Sequence, residues 1–209
     1  MRKLSFVAAA LLPLVACEPS SRVGVSEGVV ADATIDSLMI VSSIGDTLEI
    51  GVVGVGSEVD ELLMGDTVEV YYRGEYRDGV QADSLVLRPW QEVEDKTLGR
   101  NVTHSYTGVL PADSCLGMRY ELTIRNQEHS GDGTFTLKLT YLEAENGEDR
   151  SFRYMGKRFT LRGMPYDNDA TVWQCIANDG RGIFNFVVES DSSITLLNDC
   201  FERRNYINN

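Results

Sequence analysis

The feature that most constrains the fold is a two-residue alternation of apolar and polar side chains, which runs through nearly all of the chain after residue 27. The alternating and β-branched runs are separated by turn pairs such as Gly45-Asp46 and Asp78-Gly79. A period of two matches β-strands, in which successive side chains point to opposite faces of the sheet. No stretch shows the pattern of a long amphipathic helix. The sequence therefore predicts an all-β protein.

The predicted strands form two modules, the first over residues 28–90. Its expected strands are Gly28–Ala33, Ser37–Ser42, Thr47–Val53, Thr67–Arg73 and Ser84–Arg88. Between the third and fourth strands, Ser57 is placed to cap a short helix that has Asp60 at the N3 position of a capping box. Three strands, a helix and two strands is the order of an OB-type barrel, and an open five-strand meander is the alternative.

The second module is expected over residues 105–209, after a linker of residues 91–104 that lacks alternation. It contains six to eight antiparallel strands, which is enough for a small barrel. We expect aromatic side chains to fill most of the interior. The candidates are Trp173, Phe135, Phe159, Phe184 and Phe186.

The first sixteen residues have the layout of a secretory signal, with Arg2 and Lys3 ahead of a mostly apolar run. That run ends at Ala16 and is shorter than the roughly 20 residues of a membrane span. Residues 14–17, Leu-Val-Ala-Cys, resemble a bacterial lipobox. The resemblance implies that Cys17 is alkylated by a diacylglycerol and that the chain is cut between Ala16 and Cys17. A plain signal peptide cut near Ala16 is the alternative.

Lipidation would make residues 17–27 a polar, flexible tether between a bilayer and the first module. One acyl chain holds a protein only loosely, whereas two or more, such as palmitate, hold it firmly. Glu18 follows the cysteine, and an Asp at that place is the usual inner-membrane retention signal in many Gram-negative bacteria. We therefore expect anchoring in the outer membrane, with the leaflet undetermined.

The strong acidity of the chain argues against binding to nucleic acid. The formal net charge is −13, and it becomes −15 when Arg2 and Lys3 leave with the signal peptide. Nucleic-acid binding depends on basic patches that displace counterions. The first module would be the usual candidate, because many OB folds bind oligonucleotides, but residues 28–92 carry 13 acidic and three basic side chains. We expect no nucleic-acid partner.

A series of motifs at the start of the second module resembles a known family. Residues 106–111 read Tyr-Thr-Gly-Val-Leu-Pro, a short segment ends at Cys115 and Gly117, and a strand, a Gly-Asp-Gly turn and Thr-Phe-Thr-Leu follow. This arrangement is similar to the N-terminal domain of the NlpE family over residues 105–200. The resemblance implies that the second module is a lipocalin-like barrel. It also implies an outer-membrane lipoprotein linked to copper homeostasis and envelope-stress signalling. In that family an OB domain often follows the barrel, whereas here the OB-like module comes first.

The family motif Pro-Cys-x-x-Cys-x-Gly is incomplete in this chain, because Ala112 stands where the first cysteine would be. Cys115 and Met118 remain as soft ligands suited to Cu(I). Packing of Met118 in the core is the favoured reading over a copper site. His104 and His129 lie in polar segments and are expected to be solvated rather than ligands.

The mature chain has three further cysteines, Cys115, Cys175 and Cys200, in a compartment that permits disulfides. An odd number leaves at least one thiol unpaired. The candidate pairs are Cys175–Cys200 and Cys115–Cys200, and three buried free thiols are the alternative.

No motif of an enzyme is present: there is no Gly-x-Ser-x-Gly elbow, no His-Glu-x-x-His and no phosphate-binding glycine loop before a helix. We therefore expect a non-catalytic envelope lipoprotein that binds a ligand or senses stress, with an envelope signalling protein as a possible partner. The alternative is a carrier of a small hydrophobic ligand or lipid in the second barrel.

Overall fold

A computed structural model describes residues 22–88, 97–112 and 115–203. The described chain contains twelve β-strands and one four-residue helix, arranged as two β units. The predicted all-β class with two barrel-like modules is confirmed. In the described part of the chain, no helix has the length and apolar character needed to span a bilayer.

The first unit is a closed five-stranded barrel, which excludes the open meander. Its elements are β1 (Val23–Ala33), β2 (Ser37–Val41), β3 (Thr47–Gly51), α1 (Glu58–Glu61), β4 (Thr67–Arg73) and β5 (Val80–Arg88). The strands follow each other around the barrel in the order β1-β2-β3-β5-β4, and β4 pairs with β1 to close it. Only the β3–β5 pair is parallel among the described strands. This is the predicted OB-type order of three strands, a helix and two strands.

Alternation along the strands builds the core of this barrel. Every second residue of β2 and β4 is buried, for example Leu38 and Ile40, or Val68 and Val70. Strand β1 serves both neighbours: residues 23–29 pair with β4 and residues 29–33 pair with β2. A bulge near Asp32 lies within the pairing with β2.

Two sequence expectations for this unit need correction. Strand β1 begins at Val23, where it pairs with Arg73, so residues 23–27 belong to the barrel and not to the tether. Helix α1 forms where expected, but the Ser57 side chain makes no capping hydrogen bond. Asp60, the expected partner in the capping box, instead lies near Lys138 and Arg153 of the second unit.

The second unit is a seven-stranded antiparallel sheet in which each strand pairs with the next one along the chain. Its strands are β6 (Asn101–Ala112), β7 (Cys115–Gln127), β8 (Asp132–Glu145), β9 (Glu148–Met164), β10 (Asp167–Ala177), β11 (Ile183–Ser190) and β12 (Ser193–Leu196). The sheet curls into a nearly closed barrel whose two end strands are β6 and β12. Since β6 begins at Asn101, the last four residues of the predicted linker are strand; residues 89–96 lie outside the described residues.

Inward-facing side chains of β7, β8, β10 and β11 form the core of this unit. The buried set includes Leu122, Ile124, Phe135, Leu137, Cys175 and Phe186. Of the aromatic residues expected inside, Trp173 and Phe184 also pack against this core. Phe159 does not, because it pairs with Gln174 and therefore lies on the face opposite to Cys175.

The outer face of the second unit is partly covered by the first barrel. Met155 on β9 is 1% exposed and belongs to the buried core of the first barrel. Two residues before it, Arg153 donates to the main-chain carbonyl of Val59 in α1. Arg125 of β7 forms an ion pair of 2.5 Å with Asp66, a carboxylate that is itself 3% exposed. Apolar burial and ionic hydrogen bonds therefore hold the two units together.

Candidate ligand-binding slot at the open seam of the second barrel

The second barrel has a seam where its first and last strands face each other. Strand β12 pairs only with β11 and β6 pairs only with β7 among the described strands. A hydrogen bond of 3.3 Å crosses the seam, donated by the Tyr106 hydroxyl to the main-chain oxygen of Asp191. Antiparallel neighbours in a closed sheet would exchange main-chain hydrogen bonds here. Because β6 and β12 do not pair in the described chain, the seam is an opening in the barrel wall where a ligand can enter.

A cavity of about 260 Å³ lies at this seam, and we call it the seam slot. Strands β6 and β7 supply one side of its lining and β11 and β12 the other. The lining residues are Tyr106, Thr107, Gly108, Leu110, Tyr120, Leu122, Phe186, Ile194, Thr195 and Leu196. None of these ten side chains is acidic, basic, a thiol or an imidazole, so the slot suits contact with an apolar group rather than ionic recognition.

Gly108 is the reason that space remains in the slot. It follows Tyr106 and precedes Leu110 on the same face of β6, where a larger side chain would point inward. A Cβ built at Gly108 meets no heavy atom within 4 Å among the described residues. The glycine thus leaves one side-chain position empty between two large neighbours.

An aromatic cluster lies beside the slot. The ring of Tyr106 is 5.8 Å from that of Trp173 and 6.5 Å from that of His104. Burial and the charge of Asp191 raise the pKa of Tyr106, so its hydroxyl stays protonated and continues to donate across the seam. His104 is half-buried in this cluster and not the solvated side chain that was expected, whereas His129 is exposed.

Neither the cysteines nor the histidines assemble a metal centre in the described chain. Cys115 donates its thiol hydrogen to the Gly117 carbonyl, and the Met118 sulfur accepts from the Tyr120 hydroxyl at 3.5 Å. Met118 packs against the barrel core, as the packing interpretation expected. The described residues contain no group of three or more His, Cys, Asp or Glu side chains that could hold a metal ion. Two sulfurs with separate partners do not fit a closed copper site.

The other thiols are also free in the structure, so neither expected disulfide pair is formed. Cys175 is fully buried in the second barrel, and this burial raises its pKa to about 12 although Arg158 lies nearby. Such a thiol is inert at neutral pH. Cys200 is exposed after β12, so the alternative of three buried thiols fails at this residue. Ala16 and Cys17, the expected cleavage and lipidation site, lie outside the described residues.

The slot was not predicted from the sequence, although several of its lining residues belong to the motif that resembles the family. The Tyr-x-Gly-x-Leu segment was recognised as a family motif, and the small residue inside it was the available signal. An isolated glycine in a strand pattern often marks a site that something else approaches closely. The opposite wall comes from β12, almost 90 residues later in the chain, and no local pattern connects the two strands.

Comparison with known proteins agrees with this description of the second unit. Residues 106–205 match the family model for the NlpE N-terminal domain. Searches of curated proteins and of solved structures gave no match to this chain. The matched range begins at Tyr106 in β6 and contains strands β7 to β12, so it covers the barrel that carries the seam slot. Residues 106–205 of this chain are therefore similar to the NlpE N-terminal domain.

Proposed function

We propose that this protein is a non-catalytic binding protein, anchored to a membrane of the cell envelope by lipid on Cys17, whose second barrel holds an apolar group in the seam slot. The observation that carries the binding role is the slot itself: an apolar cavity of about 260 Å³ between two strand edges. The family match supports the envelope location.

The size and lining of the slot indicate what it would take. Ligand pockets usually have volumes of roughly 300–1,000 Å³. The seam slot is slightly smaller, so it suits one apolar group, such as a large side chain or part of an acyl chain. The wall is formed by buried groups such as Leu122 and Phe186, which would gain contact area from an apolar occupant. The barrel core beyond that wall is packed, which argues against a wide internal carrier cavity.

A stress-sensing role is compatible with this proposal, whereas a copper site is not part of it. A sensor would change its partner binding when the slot is filled, and an envelope signalling protein is the kind of partner that the family suggests. The remaining soft ligands, Cys115 and Met118, do not provide the donor set for a closed metal site.

We expect that filling the slot from within abolishes binding of an apolar probe. In Gly108→Leu, the added side chain enters open space, so the fold should be retained while the cavity is lost. The probe N-phenyl-1-naphthylamine would be titrated into the mature chain carrying Cys17→Ser, and its fluorescence recorded. The unaltered slot should give saturable enhancement, and Gly108→Leu should lower the affinity at least about tenfold, equivalent to about 1.4 kcal/mol.

Gly131→Leu is the matched control for this experiment. Gly131 is also free of close atoms around its Cβ position, but it lies in the exposed turn between β7 and β8. The Gly131→Leu variant should bind the probe with the same affinity as the parent. Equal binding by Gly108→Leu and Gly131→Leu, or no saturable binding by the parent, would refute the slot as a binding site.

The anchor is tested separately. Export with the native signal should yield a mature protein that partitions into the detergent phase of Triton X-114 and carries the mass of at least two acyl chains, because two chains are needed for firm attachment. Cys17→Ser should move the protein to the aqueous phase. A native protein without any acyl mass would exclude lipidation and leave the binding proposal intact.

A further inference from the structure

The edge that β6 presents at the seam has little protection against pairing with another strand. Strand β6 contains no charged residue over its twelve positions, and β12 contains none over its four. Natural sheets usually protect exposed edges with charged side chains, proline or bulges. On β6 this protection is confined to the last residues, where Pro111 lies beside a register shift.

Strand β6 is also incompletely buried along its whole length. None of its twelve residues is buried, although the inward residues of its neighbour β7, such as Leu122 and Ile124, are. The cause is the missing neighbour: β12 is only four residues long and does not pair with β6 in the described structure. Most of the free edge of β6 therefore has no strand of the described residues opposite it.

The chemistry of this edge favours a polypeptide over a lipid. In a strand that pairs on one side only, alternate residues direct their N–H and C=O groups to the open side. An acyl chain could fill the apolar slot but would leave those groups without protein partners. An extended peptide would satisfy them, and its alternate side chains would enter the slot beside Gly108. The acidity of the chain, with a net charge of −13, favours a peptide that carries basic residues.

We infer that an extended polypeptide segment, basic overall and apolar at alternate positions, adds to the free edge of β6 and places an apolar side chain in the seam slot. This inference rests on the slot of the proposed function and adds the class of partner. The segment would complete the barrel wall between β6 and β12 by strand addition.

The test uses three fluorescein-labelled nonapeptides with the same side chains. The first alternates, Lys-Leu-Thr-Leu-Lys-Val-Thr-Leu-Lys; the second groups its apolar residues in one block; the third is the first with N-methyl groups on alternate amides. Each is titrated into the mature chain carrying Cys17→Ser, and binding is followed by fluorescence anisotropy. We expect the alternating peptide to bind and both the block and the N-methylated peptide to bind at least about tenfold more weakly, which is about 1.4 kcal/mol.

Hydrogen exchange of the same samples locates the contact. The alternating peptide should slow exchange of β6 amides between residues 103 and 109, and Gly108→Leu should weaken its binding while Gly131→Leu should not. Equal binding of all three peptides, no binding of the alternating peptide, or protection elsewhere on the protein would overturn strand addition. If N-phenyl-1-naphthylamine still fills the slot in that case, the apolar binding site stands and strand addition alone is wrong; if laurate also displaces the probe, the occupant is a lipid.

Discussion

Gly156→Ala is expected to destabilise the protein by about 3 kcal/mol or more, because β10 passes too close to this position for any side chain. A Cβ at Gly156 would lie 2.0 Å from the main-chain oxygen of Ile176 and 2.9 Å from the Cα of Ala177. Both contacts are to backbone, so relief requires β9 and β10 to separate. Urea unfolding of the mature chain, followed by circular dichroism, measures the loss as a shift in the transition midpoint.

The control for this prediction is Gly131→Ala, which adds the same methyl group in open space. Its free energy of unfolding should remain within about 0.5 kcal/mol of the parent's, as for most exposed substitutions. If Gly156→Ala unfolds at the parent's urea concentration, the close approach of β10 to β9 does not exist as described.

Met155→Ala is expected to cost about 2–5 kcal/mol, the usual range for removing a buried methionine side chain. The residue belongs to β9 of the second unit, but its side chain is buried in the core of the first barrel. The substitution therefore leaves a cavity between the two units and weakens the contact that couples them. In a Trp90→Phe background, the fluorescence of Trp173 reports unfolding of the second unit, and far-ultraviolet circular dichroism reports both units.

Met39→Ala provides the matched comparison, because Met39 is 36% exposed on the outer face of β2. It should change the unfolding free energy by less than about 0.5 kcal/mol. Equal midpoints for Met155→Ala and Met39→Ala would show that the first barrel does not bury Met155 in solution.

The fold class was predictable because its signal is local. A strand with one buried face alternates in sequence, and β4 shows this directly, with Val68, Val70 and Tyr72 buried. The order of three strands, a helix and two strands was likewise readable from turn residues between apolar runs. The same local information indicated the extended hairpins of the second unit.

The strand ends were less predictable, because tertiary partners extend them. Residues 23–27 read as a polar tether, yet they are strand because β4 offers a pairing edge from Thr67 to Arg73. Residues 101–104 read as linker and are strand because the end of β7 lies opposite. In both places main-chain hydrogen bonding to a distant partner decides the structure, and it leaves little trace in side-chain pattern.

The candidate site and the contact between units depend on still longer-range information. Arg153 and Met155 are outward residues of a regular strand and would be read as surface in isolation. Their burial requires the position of α1 and of the first core. The expected capping role of Asp60 failed for the same reason, because that carboxylate lies 3.4 Å from the Arg153 guanidinium.

The contact between the barrels also determines where the seam slot is held. If Cys17 carries lipid, the six residues to Val23 can reach about 20 Å at most. Met155 and the Arg125–Asp66 pair bind the second unit to the first. The slot therefore stays at a limited distance from the lipid anchor. It would sample only a narrow layer above the bilayer surface, so a partner must be tall enough, or itself membrane-bound, to present a segment at that height.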